Sequence, residues 1–210
     1  MIEKQHHHGH GGNELADARQ MHRHVLRPKL TAIWVFLRTS GVLPCVGEQG
    51  RPEGMTGTAV VLGGDQSPHS TYIQVGGEAQ RIKADELRKA MRASETLNRL
   101  LLKYVQVFNV QTTHTAIANT RAHIDRRLAR WILMAHDRTR DNTLPLTHEF
   151  LALMLGVRRS GVTEALQSLR KQKLIENGRN KIVVLNRKGI EKMAGNSYGV
   201  PEKEYRRLIG

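Results

Sequence analysis

Between Ser94 and Ala122 the apolar and small residues return at alternating steps of four and three: Leu97, Leu101, Tyr104, Phe108, Gln111, Thr115, Ala118 and Ala122. That spacing predicts one long α-helix with a heptad seam, and Ser94 ahead of Glu95-Thr96-Leu97 offers its cap. A shorter helix is expected before it, over Lys83 to Arg92. After it, Ile124, Leu128, Trp131, Ile132 and Ala135 keep the helical period. So do Phe150, Leu151, Met154 and Leu155, and then Val162, Ala165, Leu166 and Leu169. Thr147 can cap the first of these last two helices, and Pro145 discourages an earlier start. Gly156 stands where the chain must turn. Beyond them Leu174-Ile175 opens a strand, Asn177-Gly178 is a hairpin signal and Lys181 to Leu185 forms the return.

Ahead of the helices the pattern shortens. Ala59-Val-Val-Leu62, Thr71-Tyr-Ile-Gln-Val75 and Glu78-Ala-Gln-Arg-Ile82 read as strands, with Gly pairs and Ser67-Pro68 at the turns. The run Leu30 to Leu37 is a strand or a short buried helix, and periodicity does not decide between them. Residues 1–20 hold His6, His7, His8 and His10 among glycines. Loose metal binding is one reading of that tract. Disorder without a fixed ligand geometry is the plainer one. Residues 195–210 read as a polar tail.

A short helix, a tight turn and a second helix, followed by a hairpin, are the parts of a winged helix-turn-helix, whose second helix lies in the major groove of DNA. The solvent face of that helix opens with Arg158, Arg159, Ser160 and Thr163. Arg159 suits a bidentate contact to guanine, while Ser160 and Thr163 suit base edges. Thr147, Arg158, Arg179 and Lys181 are expected on phosphates.

Charge strengthens this picture. The 210 residues carry a formal net charge of +14. Between Arg121 and Lys192 there are 16 Lys and Arg against 7 Asp and Glu, so the excess lies on the motif-bearing part. An anionic partner follows, nucleic acid first.

Other chemistry is thinly represented. Cys45 is the sole cysteine, which excludes an internal disulfide and a cysteine-held iron–sulfur cluster. Paired carboxylates, a nucleophile elbow and a phosphate loop are missing, so an enzyme is not expected. No apolar run approaches the length of a membrane span and no signal-peptide layout opens the chain, so a cytoplasmic protein is expected. His136-Asp137 lacks a third partner for a triad or metal set, and Trp131 reads as core.

The run Asp125 to Ala194 resembles the DNA-binding domain of the Crp/Fnr superfamily of bacterial transcription regulators. The residues that carry the likeness are Leu146-Thr147, Gly156, Val157-Arg-Arg-Ser160, Leu169 and Leu174-Ile175. They are joined by Ala129-Arg-Trp-Ile-Leu-Met-Ala-His-Asp-Arg138 and the stretch Pro145 to Arg159, which match one branch of the superfamily. The best-known members carry a Glu and a second Arg where Ser160 and Glu164 stand, so their target sequence does not transfer.

The resemblance also implies a β-roll sensory domain. Its last strands match Gly54-Met-Thr-Gly57, Gly63 to His69, Thr71 to Val75 and Glu78 to Ile82. No Arg stands at the phosphate position beside Gly64-Asp65 and Ser67-Pro68-His69, so cyclic-nucleotide binding is not expected and the effector is open.

The expectation is an α+β protein, mainly α in its C-terminal half. It comprises a disordered tail (1–20), a partial β-roll (21–92), a dimerisation helix (93–122), a winged helix-turn-helix (123–194) and a tail (195–210). Its seam would be Leu97, Leu101, Tyr104, Phe108, Gln111 and Thr115, although the same stripe could pack on the chain's own β-roll. The expected partners are double-stranded DNA, a second copy of the chain and RNA polymerase, with no membrane, resident cofactor or metal. The competing reading is a defective or truncated regulator that binds DNA non-specifically or serves as a protein-interaction module.

Overall fold

The computed structural model describes residues 15–17, 32–38, 54–66, 78–139 and 141–210. The His-rich tract, Cys45, Ser67 to His69 and Thr71 to Val75 lie outside them. Four short strands form an antiparallel sheet in the order β1-β4-β2-β3: β1 Leu15–Asp17, β2 Ala32–Arg38, β3 Gly54–Met55 and β4 Glu78–Lys83. The ambiguous run around Trp34 is therefore a strand, paired with β4 so that Ile33 faces Ile82 across the ladder. Leu15–Asp17, expected within a disordered tail, instead pairs with the other edge of β4.

The segment read as strand Ala59 to Leu62 is a helix, α1 Thr58–Val61. Its β-branched residues favour a strand locally. Gly57 at φ 72° and Gly63 at φ 88° bracket it in left-handed conformations, which turn the chain into and out of one helical coil. Val60 and Val61 are thereby pressed into a small core with Met55, Ala84, Leu87 and Val105.

Helix α2 Ala84–Ala93 leads into α3 Glu95–Arg121. The Ser94 hydroxyl accepts from the Leu97 amide at 3.2 Å, which satisfies one of the orphan donors of the first turn. The second and larger core is built by α4 Ile124–His136, α5 His148–Leu155, α6 Arg159–Lys171 and α7 Arg187–Ala194. A three-stranded sheet closes it, in the order β5-β7-β6: β5 Thr143–Leu144, β6 Ile175–Gly178 and β7 Lys181–Val184. Trp131 belongs to this core and meets Phe150 edge-on, with ring centroids 5.7 Å apart.

The polar tail is not a tail. A 3-10 turn, Gly195–Ser197, leads to helix α8 Val200–Leu208. Gly199 enters α8 at φ 107° and its amide donates to Glu202 at 2.7 Å. The helix lies along α3, where Tyr205 and Val107 bury each other beside Leu208 and Ile209. Its apolar residues are too few to signal this in the sequence. The packing depends on a partner about 100 residues away.

Candidate nucleic-acid interface

The Thr147 side chain accepts from the Phe150 amide at 3.1 Å and so starts α5. Gly156, at φ 61°, ends α5, and the Val157 amide closes the turn onto the Ala152 carbonyl at 3.1 Å. Helix α6 then starts at Arg159 with Arg158 as its N-cap, and no side chain bonds that cap. Val162, Ala165, Leu166 and Leu169 are buried, so the back of α6 is the stripe expected from its period. Gly161 lets α6 approach α4, since a β-carbon there would stand 3.2 Å from Ile124. Arg127 donates to the carbonyl of Leu155 and fixes the end of α5 to α4.

With its back held in this way, α6 presents its front to solvent. Arg158, Arg159 and Ser160 are exposed. The Arg159 side chain is 67% exposed and pairs with Glu149 at 3.1 Å. Thr163 is only half-exposed and its hydroxyl is occupied. It donates to the Arg159 carbonyl at 3.0 Å and lies 3.1 Å from Nδ1 of His148.

The wing differs in register from the sequence reading. Gly178 pairs with Lys181, so the two-residue turn is Arg179-Asn180 rather than Asn177-Gly178. Asn180 takes the left-handed conformation, at φ 57°. Arg179 and Lys181 are exposed at this turn, while Asn177 sits in the ladder.

The expected seam on α3 fares less uniformly. Gln111 is 2% exposed within the chain itself. Tyr104 receives the Met55 amide at 3.1 Å, and both Tyr104 and Leu101 pack on the first core. Thr115 accepts from Arg130 at 3.0 Å. Leu97 and Phe108 are half-buried, and Leu100, Leu102 and Ile117 are exposed. Much of the stripe is thus used inside the chain, because α3 packs against α1 and α2 as well as α8.

A partly buried polar cluster joins the end of α4 to α7 and the segment after it. Arg187 donates to Asp137 at 2.7 Å, to the Tyr198 hydroxyl at 2.8 Å, to Glu191 at 2.9 Å and to Nδ1 of His136 at 2.8 Å. The cation that joins His136 and Asp137 thus stands about 50 residues later in the chain. Asp137 holds Arg187 above its ordinary range against the opposing effect of burial. Arg130 donates to the Ser197 carbonyl at 2.8 Å, and burial lowers its pKa while Glu202 raises it. These residues were missed because their pairings join elements far apart in the chain.

Residues 126–193 match the family described as the Crp-like helix-turn-helix domain. Over that stretch the chain carries a Crp-like helix-turn-helix domain. Over most of its length the fold also resembles that of solved structures. FixK2 from Bradyrhizobium japonicum is 13% identical over 88% of this chain and 98% of its own, with a TM-score of 0.62. A CRP-family transcriptional regulator from Thermus thermophilus is 18% identical over 87% and 94%, at 0.59. A second, CRP/FNR-family regulator from that organism is 19% identical over 88% and 94%, at 0.56. No curated protein matches the chain significantly in sequence. The matched residues contain the whole of α5, α6, β6 and β7. No helix among the described residues is long and apolar enough to cross a membrane.

Proposed function

We propose that the protein binds double-stranded DNA sequence-specifically and controls transcription in the cytoplasm as a homodimer. The carrying observation is the two-sidedness of α6: its back is buried, while Arg158, Arg159 and Ser160 stand exposed at its front end. Arg159 reads a guanine edge and Ser160 a neighbouring base, as bidentate and hydroxyl contacts in the major groove do. Thr147 accepts from the Phe150 amide, which leaves its own O–H to donate to a phosphate. Arg158, Arg179 and Lys181 neutralise phosphates and set the register.

Dimerisation along α3 is supported by the apolar side chains that the chain leaves partly uncovered there: Leu97 and Phe108, with Leu100, Leu102 and Ile117. A symmetric pair of reading helices calls for a near-palindromic site with half-sites about 34 Å apart. RNA polymerase is the further partner in this reading. A cyclic nucleotide is not part of this reading, since the stretch from Gly63 to His69 holds no Arg to meet its phosphate.

The test is a gel-shift series on a duplex selected by the wild-type protein and on a scrambled duplex. Arg159→Ala is expected to lose about 1–3 kcal/mol on the selected duplex and to relax one base position. Lys181→Ala is expected to weaken both duplexes alike. An unchanged ratio for Arg159→Ala defeats the assignment.

A further inference from the structure

His148, the first residue of α5, touches both DNA-facing elements. Its Nδ1 lies 3.1 Å from the Thr163 hydroxyl on α6 and its Nε2 lies 3.2 Å from Nδ2 of Asn177 on β6. The Arg159 carbonyl only accepts, so the single Thr163 proton goes to it over 3.0 Å. Nδ1 must then carry a proton and donate to Thr163. The Asn177 amide nitrogen only donates, so Nε2 must be the acceptor. With the groups so placed, Nδ1 donates to Thr163 and Nε2 accepts from Asn177, whose Oδ1 is buried without a partner.

We propose that His148 is a positioning residue for base recognition, holding the wing and the reading helix in one register and committing the Thr163 hydroxyl. The inference rests on the reading that α6 enters the major groove. Thr163 gives up its only proton to the Arg159 carbonyl, so it keeps its methyl group and one oxygen lone pair for a base edge. Its chemistry therefore suits the methyl of thymine rather than a hydrogen-bond acceptor. The bridge also links Asn177, two residues before Arg179, to the helix that carries Arg159. Phosphate contacts at the wing and base contacts at the helix thereby share one frame.

The experiment is selection from a randomised duplex library, followed by binding of the enriched and a scrambled duplex. Thermal unfolding of each variant is measured alongside. Wild type is expected to enrich a defined sequence. His148→Ala is expected to lower the enriched-to-scrambled ratio about tenfold, the order expected for two lost hydrogen bonds. His148→Asn places an amide donor near the position of Nδ1, and should recover part of that ratio through Thr163. Asn177→Ala, in the wing, should lower the ratio from the other side, and combined with His148→Ala should add little further loss. Thr163→Ser should relax selection at one base position, by removing the methyl while keeping the hydroxyl bridge.

Equal losses on both duplexes in His148→Ala and Asn177→Ala, with the ratio unchanged, would overturn the proposal and leave only a packing role. Full additivity of the two variants would overturn it too. A wild-type protein that enriches no sequence would instead defeat the underlying reading of α6.

Discussion

The Tyr198 hydroxyl donates to Asp137 over 2.6 Å, across 61 residues of sequence, and ties the segment after the Crp-like domain to the end of α4. Arg187 takes the other Asp137 oxygen. Burial first, then the charge and hydrogen bond of Asp137, hold the Tyr198 phenol far above its ordinary range. The folded chain thus keeps a proton that the unfolded chain releases near pH 10. The stabilisation is complete below that pH and is lost as pH rises beyond it. Tyr198→Phe should cost about 1–2 kcal/mol at neutral pH in urea unfolding and flatten the alkaline decline. Absorbance titration should show one of the four tyrosines ionising only with unfolding.

Removing the cation from this cluster should cost more than removing the phenol. The Asp137 side chain is 8% exposed, and Arg187 is its only cationic partner among the described ion pairs. Arg187→Met leaves a buried carboxylate without its counter-charge, which should cost about 3–5 kcal/mol. Pairing Arg187→Met with Asp137→Asn should recover part of that loss. Calorimetric unfolding of the two single variants and the double variant checks the coupling.

Two glycines of the Crp-like domain should resist substitution for different reasons. Gly156 has open space around its missing side chain but sits at φ 61°. Gly156→Ala should therefore cost about 1–2 kcal/mol through backbone strain alone. At Gly189 a β-carbon would stand 2.4 Å from Cδ2 of Leu174, beneath the start of the wing. Gly189→Ala should cost about 1–3 kcal/mol by overpacking. A further Leu174→Ala change should relieve the clash at Gly189 and leave Gly156→Ala untouched, as urea midpoints would show.

In the proposed complex, DNA would have to break the Glu149–Arg159 pair. Its side chains are 62% and 67% exposed, so Glu149→Ala should change stability by less than about 1 kcal/mol. The same change releases Arg159 and removes a negative charge from a surface proposed to meet phosphates. Affinity for the selected duplex should rise about 2–10-fold at low salt, with the gain fading as salt increases. A lower affinity would mean that Glu149 orients Arg159 rather than restraining it.

Chain-local physics was legible from the residues alone. Ser94 and Thr147 cap helices because a side-chain oxygen meets an amide three residues on. The back of α6 follows from its period, and Gly156 turns because its backbone is unhindered. The exposed Arg158-Arg159-Ser160 front is the complement of that buried stripe. Partners brought from a distance were decided only by the tertiary structure. Val60 and Val61 became helical because flanking glycines fold them onto Met55 and Leu87. Gln111 turned inward on a face of α3 that also meets α8, and the Thr163 hydroxyl was claimed by His148. Arg187 gathered His136, Asp137 and Tyr198 into one cluster. A period of four and three names the face of a helix that is covered, but the groups that cover it are chosen by the folding of segments 50 to 100 residues away.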